Sequence, residues 1–236
     1  MPIGATEDCP ACGVYMHKWA QITAARLAAP PMAGEPVAME VVPDWRDRLL
    51  ILPDRDPVMI GVRGAVLALL AAWGFYLFSR DLAGGEVGQS FMHGILLVFH
   101  EAGHVIFIPF GEFMTVLGGS LFQVAFPLGI GLAFLRVNRD GFAAALGLWW
   151  AGVSLVDVAP YIYDALHPQL VLLTGETGEN GAHDWIYLLR RLGQLDRAQG
   201  WGRFTHLVGG LVMVSGVVWA GAVLRRAWRS NASRPA

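Results

Sequence analysis

Five nearly charge-free runs of more than twenty residues limit what this chain can fold into: 58–79, 90–110, 113–135, 141–165 and 204–224. A hydrocarbon layer ~30 Å thick is crossed by about 20 apolar residues wound as a helix. Charged residues make up only 15% of the chain and hydrophobic ones 55%, whereas a soluble domain carries about 25% charged residues. The fold class predicted is an all-α integral membrane protein. It has about four transmembrane helices, a re-entrant or extra membrane segment, and a small soluble N-terminal segment. The net charge of −2 excludes the basic footprint of a nucleic-acid binder. The lipid bilayer is the partner that composition implies.

Arginine distribution sets the expected topology. Arg46, Arg48 and Arg55 precede the first run, and Arg225, Arg226 and Arg229 follow the last. Both ends are expected in the cytosol of a bacterial-type inner or plasma membrane, so the number of crossings should be even. The start, "MPIGATEDCPACG", lacks the basic and apolar regions of a signal peptide. Gly118, Gly119 and Pro127 interrupt 113–135, which makes that run the expected re-entrant hairpin, with four crossings from the others; six is the alternative. Residues 1–56 read as a cytosolic head with an Ala/Pro-rich linker at 28–36 and a membrane-surface piece at 41–57. The membrane domain then covers 57–229, with a long polar loop at 166–203, and 230–236 reads as a disordered tail.

One apolar run contains a group of ionisable residues. "FHEAGHVIF" (99–107) places His100, Glu101 and His104 inside it. On a helix, residues i and i+4 share a face one turn apart, so the two imidazoles can ligate one metal ion. The spacing is HExxH. In this arrangement two histidines hold Zn²⁺ and Glu101, beside them, serves as general base toward a zinc-bound water. Ionisable groups at membrane depth are functional by default. His93, seven residues earlier, shares the His100 face and reads as a cavity-lining or structural residue.

A zinc site needs a third protein ligand. Within another apolar run the ionisable candidates are Asp157 and Asp164, in "SLVDVAPYIYDA". "HEAGH" together with "DVAPYIYDA" resembles the site-2 protease family of intramembrane zinc metalloproteases. That family pairs HExxH with a later NxxPxxxxDG-like motif whose Asp is the third ligand. Pro160 follows Asp157 as the family's Pro follows its Asn, whereas Asp164 comes one residue early and Ala165 replaces Gly. The resemblance spans 90–165 and implies His100, His104 and Asp164 as ligands, with Asp157 and His183 as alternatives. It also implies a membrane-inserted segment that holds an extended substrate. "GEFMTVLGGSLFQ" (111–123) looks like such a segment, with Gly118, Gly119 and Gln123 as candidate substrate-binding residues.

Two further stretches bear chemistry. "GAHDWIYLL" (181–189) reads as an interfacial loop with Trp185 at headgroup level and Asp184 capping a helix over 185–192; His183 and Asp184 as metal ligands or a proton relay is the alternative. "CPACGVYMHKW" resembles one knuckle of a zinc ribbon, with Cys9 and Cys12 as a second metal pair and His17 as a third donor. No second CxxC accompanies it.

The function expected is an intramembrane zinc endopeptidase acting on membrane protein or peptide substrates. A membrane metal-ion transporter or sensor is the second reading. A proteolytically inactive membrane adaptor is the third.

Overall fold

The computed structural model describes Ala24, residues 45–173 and 175–232. Cys9, Cys12 and His17 lie outside the described residues. The described residues from Trp45 onward form one compact unit. Its helices are α1 (Trp45–Leu49), α2 (Pro57–Phe78), α3 (Phe91–Phe107), α4 (Glu112–Ala133), α5 (Gly141–Asp164), α6 (Asp184–Arg191) and α7 (Ala198–Ala232). Among the described residues the only strand-type pairing is an isolated bridge between Val171 and Thr177. Five of these segments are long and apolar enough to cross a membrane.

Side-chain caps start three of the long helices. Asp56 accepts the Val58 and Met59 amides at the start of α2, with Pro57 at its first position. Ser90 accepts the His93 amide for α3, and Asp140 the Ala143 amide for α5. Each cap satisfies donors that a helix start leaves unpaired. Between α3 and α4 the chain turns through Pro109 and Gly111, whose φ of +89° suits glycine.

α5 is the central helix. Its apolar window is 72% buried, against 17–33% for the other four. Small residues let its neighbours approach closely, as in membrane helix packing. A Cβ on Gly152 would meet Gly209 O of α7 at 2.7 Å, and one on Gly147 would meet the Gly131 Cα of α4 at 2.7 Å. Large apolar side chains on the outer faces remain uncovered, including Leu69, Phe75, Val98 and Leu211.

Residues 113–135 do not form a hairpin. They belong to one helix, Glu112–Ala133, that continues through a π turn, Phe134–Asn138. Pro127 sits inside it, buried. The lost backbone bond is tolerated where protein surrounds the helix. The glycines that suggested a reversal serve close packing instead.

Contacts at the two ends of the bundle fix the helix directions. At one end Asp47 pairs with Arg226 at 2.7 Å, Arg63 approaches Asp140 at 4.0 Å, and Ile51 O accepts the Gly141 amide at 2.8 Å. At the other end His206 Nε2 bonds Phe78 O at 3.0 Å, and Arg191 approaches Glu112 at 3.9 Å. α2, α4, α5 and α7 therefore run from end to end. α3 joins the end of α2 to the start of α4, and both of those lie at the second end.

The segments flanking the long helices are also ordered. Residues 45–56, within the expected membrane-surface piece, pack onto the bundle, with Leu52 buried among Ile60, Phe142 and Val223. The loop 166–203 contains α6, where a helix over 185–192 was expected, and the start of α7.

Candidate metal centre

His100 is buried on α3 and His104 half-buried one turn later, while Glu101 is exposed beside them. One ligand atom from each lies within 4.8 Å of the others, a group able to hold a metal ion. Gly103 brings the α3 backbone against Gly118 of α4, where a Cβ would meet Gly118 O at 2.2 Å.

The outer nitrogen of each imidazole is committed. His104 Nδ1–H donates to the Thr115 carbonyl oxygen at 2.8 Å. His100 Nδ1–H donates to Gln123 Oε1 at 3.0 Å. In neutral imidazole the Nε2 atoms then carry lone pairs, and both face Asp184. Its Oδ2 lies 3.0 Å from His100 Nε2 and 3.3 Å from His104 Nε2. Three acceptor atoms converging in this way call for positive charge between them. Burial pushes the Asp184 carboxyl up, but without a metal, hydrogen bonding from His100 and His104, which needs protons on their Nε2 atoms, outweighs it and holds the group below its ordinary value.

Asp184 reaches this position because it does not cap α6. His183 does so, its Nδ1 accepting the Ile186 amide at 3.3 Å. The Asp184 carboxylate is left free to turn into the bundle. Its backbone N–H donates to Tyr161 Oη at 3.0 Å, and Trp185 Nε1–H donates to Ser120 Oγ at 3.1 Å. The first turn of α6 is thereby pinned to both α5 and α4.

The expected third ligands are engaged elsewhere. Asp164 accepts the Gln169 and Leu170 amides at 2.8 and 3.2 Å, closing the turn after α5, and its Oδ2 lies 3.5 Å from His183 Nε2. Asp157 bonds His93 Nδ1 at 2.9 Å and Gln123 Nε2 at 2.8 Å. His183 is buried under the Tyr161 ring. Gln123 is only 2% exposed and bonded at both ends of its amide, so it is not open to a substrate backbone. Gly118 packs against Phe107. The sequence favoured Asp184 as the cap of α6, with metal ligation as the alternative, because an acidic residue before a helix is ordinarily its cap. The preceding His183, itself able to cap, was the available signal.

Gly119 faces both ligand nitrogens. A Cβ there would lie 2.7 Å from His100 Nε2 and 2.6 Å from His104 Nε2. The missing side chain thus leaves open the space into which both lone pairs point.

No protein-family model, characterised protein or solved structure matches this chain.

Proposed function

We propose that the chain is an intramembrane zinc metalloprotease, with His100, His104 and Asp184 as ligands and Glu101 as general base. The observation that carries this reading is the approach of Asp184 Oδ2 to both Nε2 atoms, at 3.0 and 3.3 Å. Tetrahedral ligands at ~2.0–2.2 Å from zinc lie about 3.3 Å apart, so the donors already stand near that spacing. Protonating both imidazoles would instead set two like charges on rings whose centroids are 4.8 Å apart. One divalent ion would satisfy all three groups. The two-nitrogen, one-oxygen donor set suits zinc.

Zinc held there would supply Lewis acidity toward a water and a peptide carbonyl. The protein's own residues carry the remaining steps. Glu101 takes a proton from the attacking water and delivers it to the leaving amine as the C–N bond breaks. The Gln123 and Thr115 oxygens hold the imidazoles in the ligating tautomer. Glu101 lies on the exposed stripe of α3 with Val98 and Val105, which suits approach of a lipid-embedded substrate segment from that side.

In this reading α2, α4, α5 and α7 cross the bilayer and α3 is the re-entrant element. The even number of crossings puts residues 45–56 and the end of α7 on one side, which the arginine bias assigns to the cytosol. The metal centre then lies near the opposite face.

Glu101→Gln tests the mechanism. The purified variant should retain zinc while cleavage of unfolded casein in detergent falls at least ~100-fold. Unimpaired cleavage by this variant overturns the assignment.

A further inference from the structure

We propose that Asp157 is a positioning residue for the metal centre: through Gln123 it holds His100 in the tautomer whose Nε2 is free to ligate. This rests on the metal centre proposed above and extends it to residues that touch neither metal nor substrate.

The argument runs through hydrogen-bond polarity. A carboxylate only accepts. Asp157 Oδ2 lies 2.8 Å from one end of the Gln123 amide, so that end must be the NH₂ group. The other end, 3.0 Å from His100 Nδ1, must then be the carbonyl oxygen. A carbonyl requires a donor opposite it, so His100 keeps a proton on Nδ1, and Nε2, 3.0 Å from Asp184 Oδ2, is the nitrogen left to give up its proton and ligate. Asp157 Oδ1 is in turn held by His93 Nδ1–H at 2.9 Å. The chain His93–Asp157–Gln123–His100 links α3, α5 and α4 and returns to α3. Asp157 and Gln123 are 8% and 2% exposed, so water is a poor substitute for either partner.

The comparison with His104 explains why the device is needed. His104 donates to a main-chain carbonyl, Thr115 O, which cannot reverse its polarity. His100 faces a side-chain amide, which can. With its NH₂ group turned toward His100, Gln123 would favour the Nε2–H tautomer, and that nitrogen could not ligate. Asp157 removes this choice. Its partner His93, on the His100 face seven residues earlier, orients the carboxylate.

The test is zinc affinity, measured by competition with a chromophoric chelator on the purified full chain in detergent. Histidine ¹⁵N NMR of the same metal-stripped samples reports the tautomer. Asp157→Leu, which removes the acceptor, should weaken zinc binding by about 10–100-fold and give His100 a mixed tautomer. Asp157→Asn keeps an acceptor oxygen for Gln123 and should restore affinity to within about threefold of wild type. A role of the negative charge alone would not be rescued this way. In a Gln123→Met background, Asp157→Leu should change affinity less than about twofold, because the two residues act in series. Gln123→Met alone should reproduce the Asp157→Leu loss, and it carries the test if the Leu variant does not fold. Wild-type affinity in either single variant, or additive losses in the double variant, overturns the positioning role and leaves the metal centre standing. Failure of the wild-type chain to bind zinc overturns both.

Discussion

Gly119→Ala is the sharpest perturbation of the metal centre, because it adds one methyl group and changes no ligand. The new Cβ would stand 2.6 Å from His104 Nε2 and 2.7 Å from His100 Nε2, where ordinary contact is about 3.5 Å. Each imidazole would have to retreat by roughly 0.8 Å, or α4 move away by a similar amount. A ligand bond of ~2.0–2.1 Å does not survive that displacement. Crowding a well-packed site costs about 1–3 kcal/mol of stability. The loss of metal should be larger still, at least ~100-fold in zinc affinity, or about 2.7 kcal/mol. Gly129→Ala on the same helix is the control. Nothing lies within 4 Å of a Cβ at that position, so zinc affinity should be unchanged and the helix stabilised by up to about 1 kcal/mol. Chelator competition reads the affinity and thermal melting reads the stability. Wild-type zinc affinity in Gly119→Ala would refute the placement of the metal between these nitrogens and Asp184.

Other outcomes follow from the same geometry. Asp184→Asn should abolish stoichiometric zinc binding, whereas Asp164→Asn should retain zinc and lose about 1–3 kcal/mol through its weakened turn, as metal analysis and melting would show. Trp185→Phe removes the donor to Ser120 and should raise protease sensitivity around α6 with a modest loss of zinc. Chelation should lower the melting temperature of wild type, since a ligand bound only to the folded state stabilises it, and should leave that of His100→Ala unchanged. The Asp184 carboxyl of the metal-free protein is held below the ordinary carboxylate value. Its contribution to stability is complete above that value and lost as pH falls through the lower folded one. An acid titration of metal-free wild type against metal-free Asp184→Asn should therefore show the difference in melting temperature shrinking only below about pH 4.

The long helices were legible because lipid-length apolar runs leave few alternatives, and three of their starts carry a cap, at Asp56, Ser90 and Asp140. The HExxH geometry followed from helical spacing alone. The hairpin expected at 113–135 is replaced by one continuous helix. Gly118, Gly119 and Pro127 read as a reversal, yet a glycine serves close helix approach as readily as a bend, and only the neighbouring helix distinguishes the two. The chain turns instead at Pro109 and Gly111, between α3 and α4, outside the stretch that carries the glycine pair. Asp184 was read as a cap, and whether an acidic residue caps its own helix or leaves that role to its neighbour depends on a one-residue shift in the helix start. Asp164 and Asp157 were legible as buried carboxylates but not as partners of the Leu170 turn and of Gln123. Those pairings depend on how α5 packs, which spacing does not encode.

Anomalous diffraction at the zinc edge, from crystals of the purified chain, tests the central claim most directly. The account predicts one peak per chain, about 2.0–2.2 Å from His100 Nε2, His104 Nε2 and an oxygen of Asp184. A peak beside Asp164 and His183 instead, or no peak near the two α3 histidines, would contradict it.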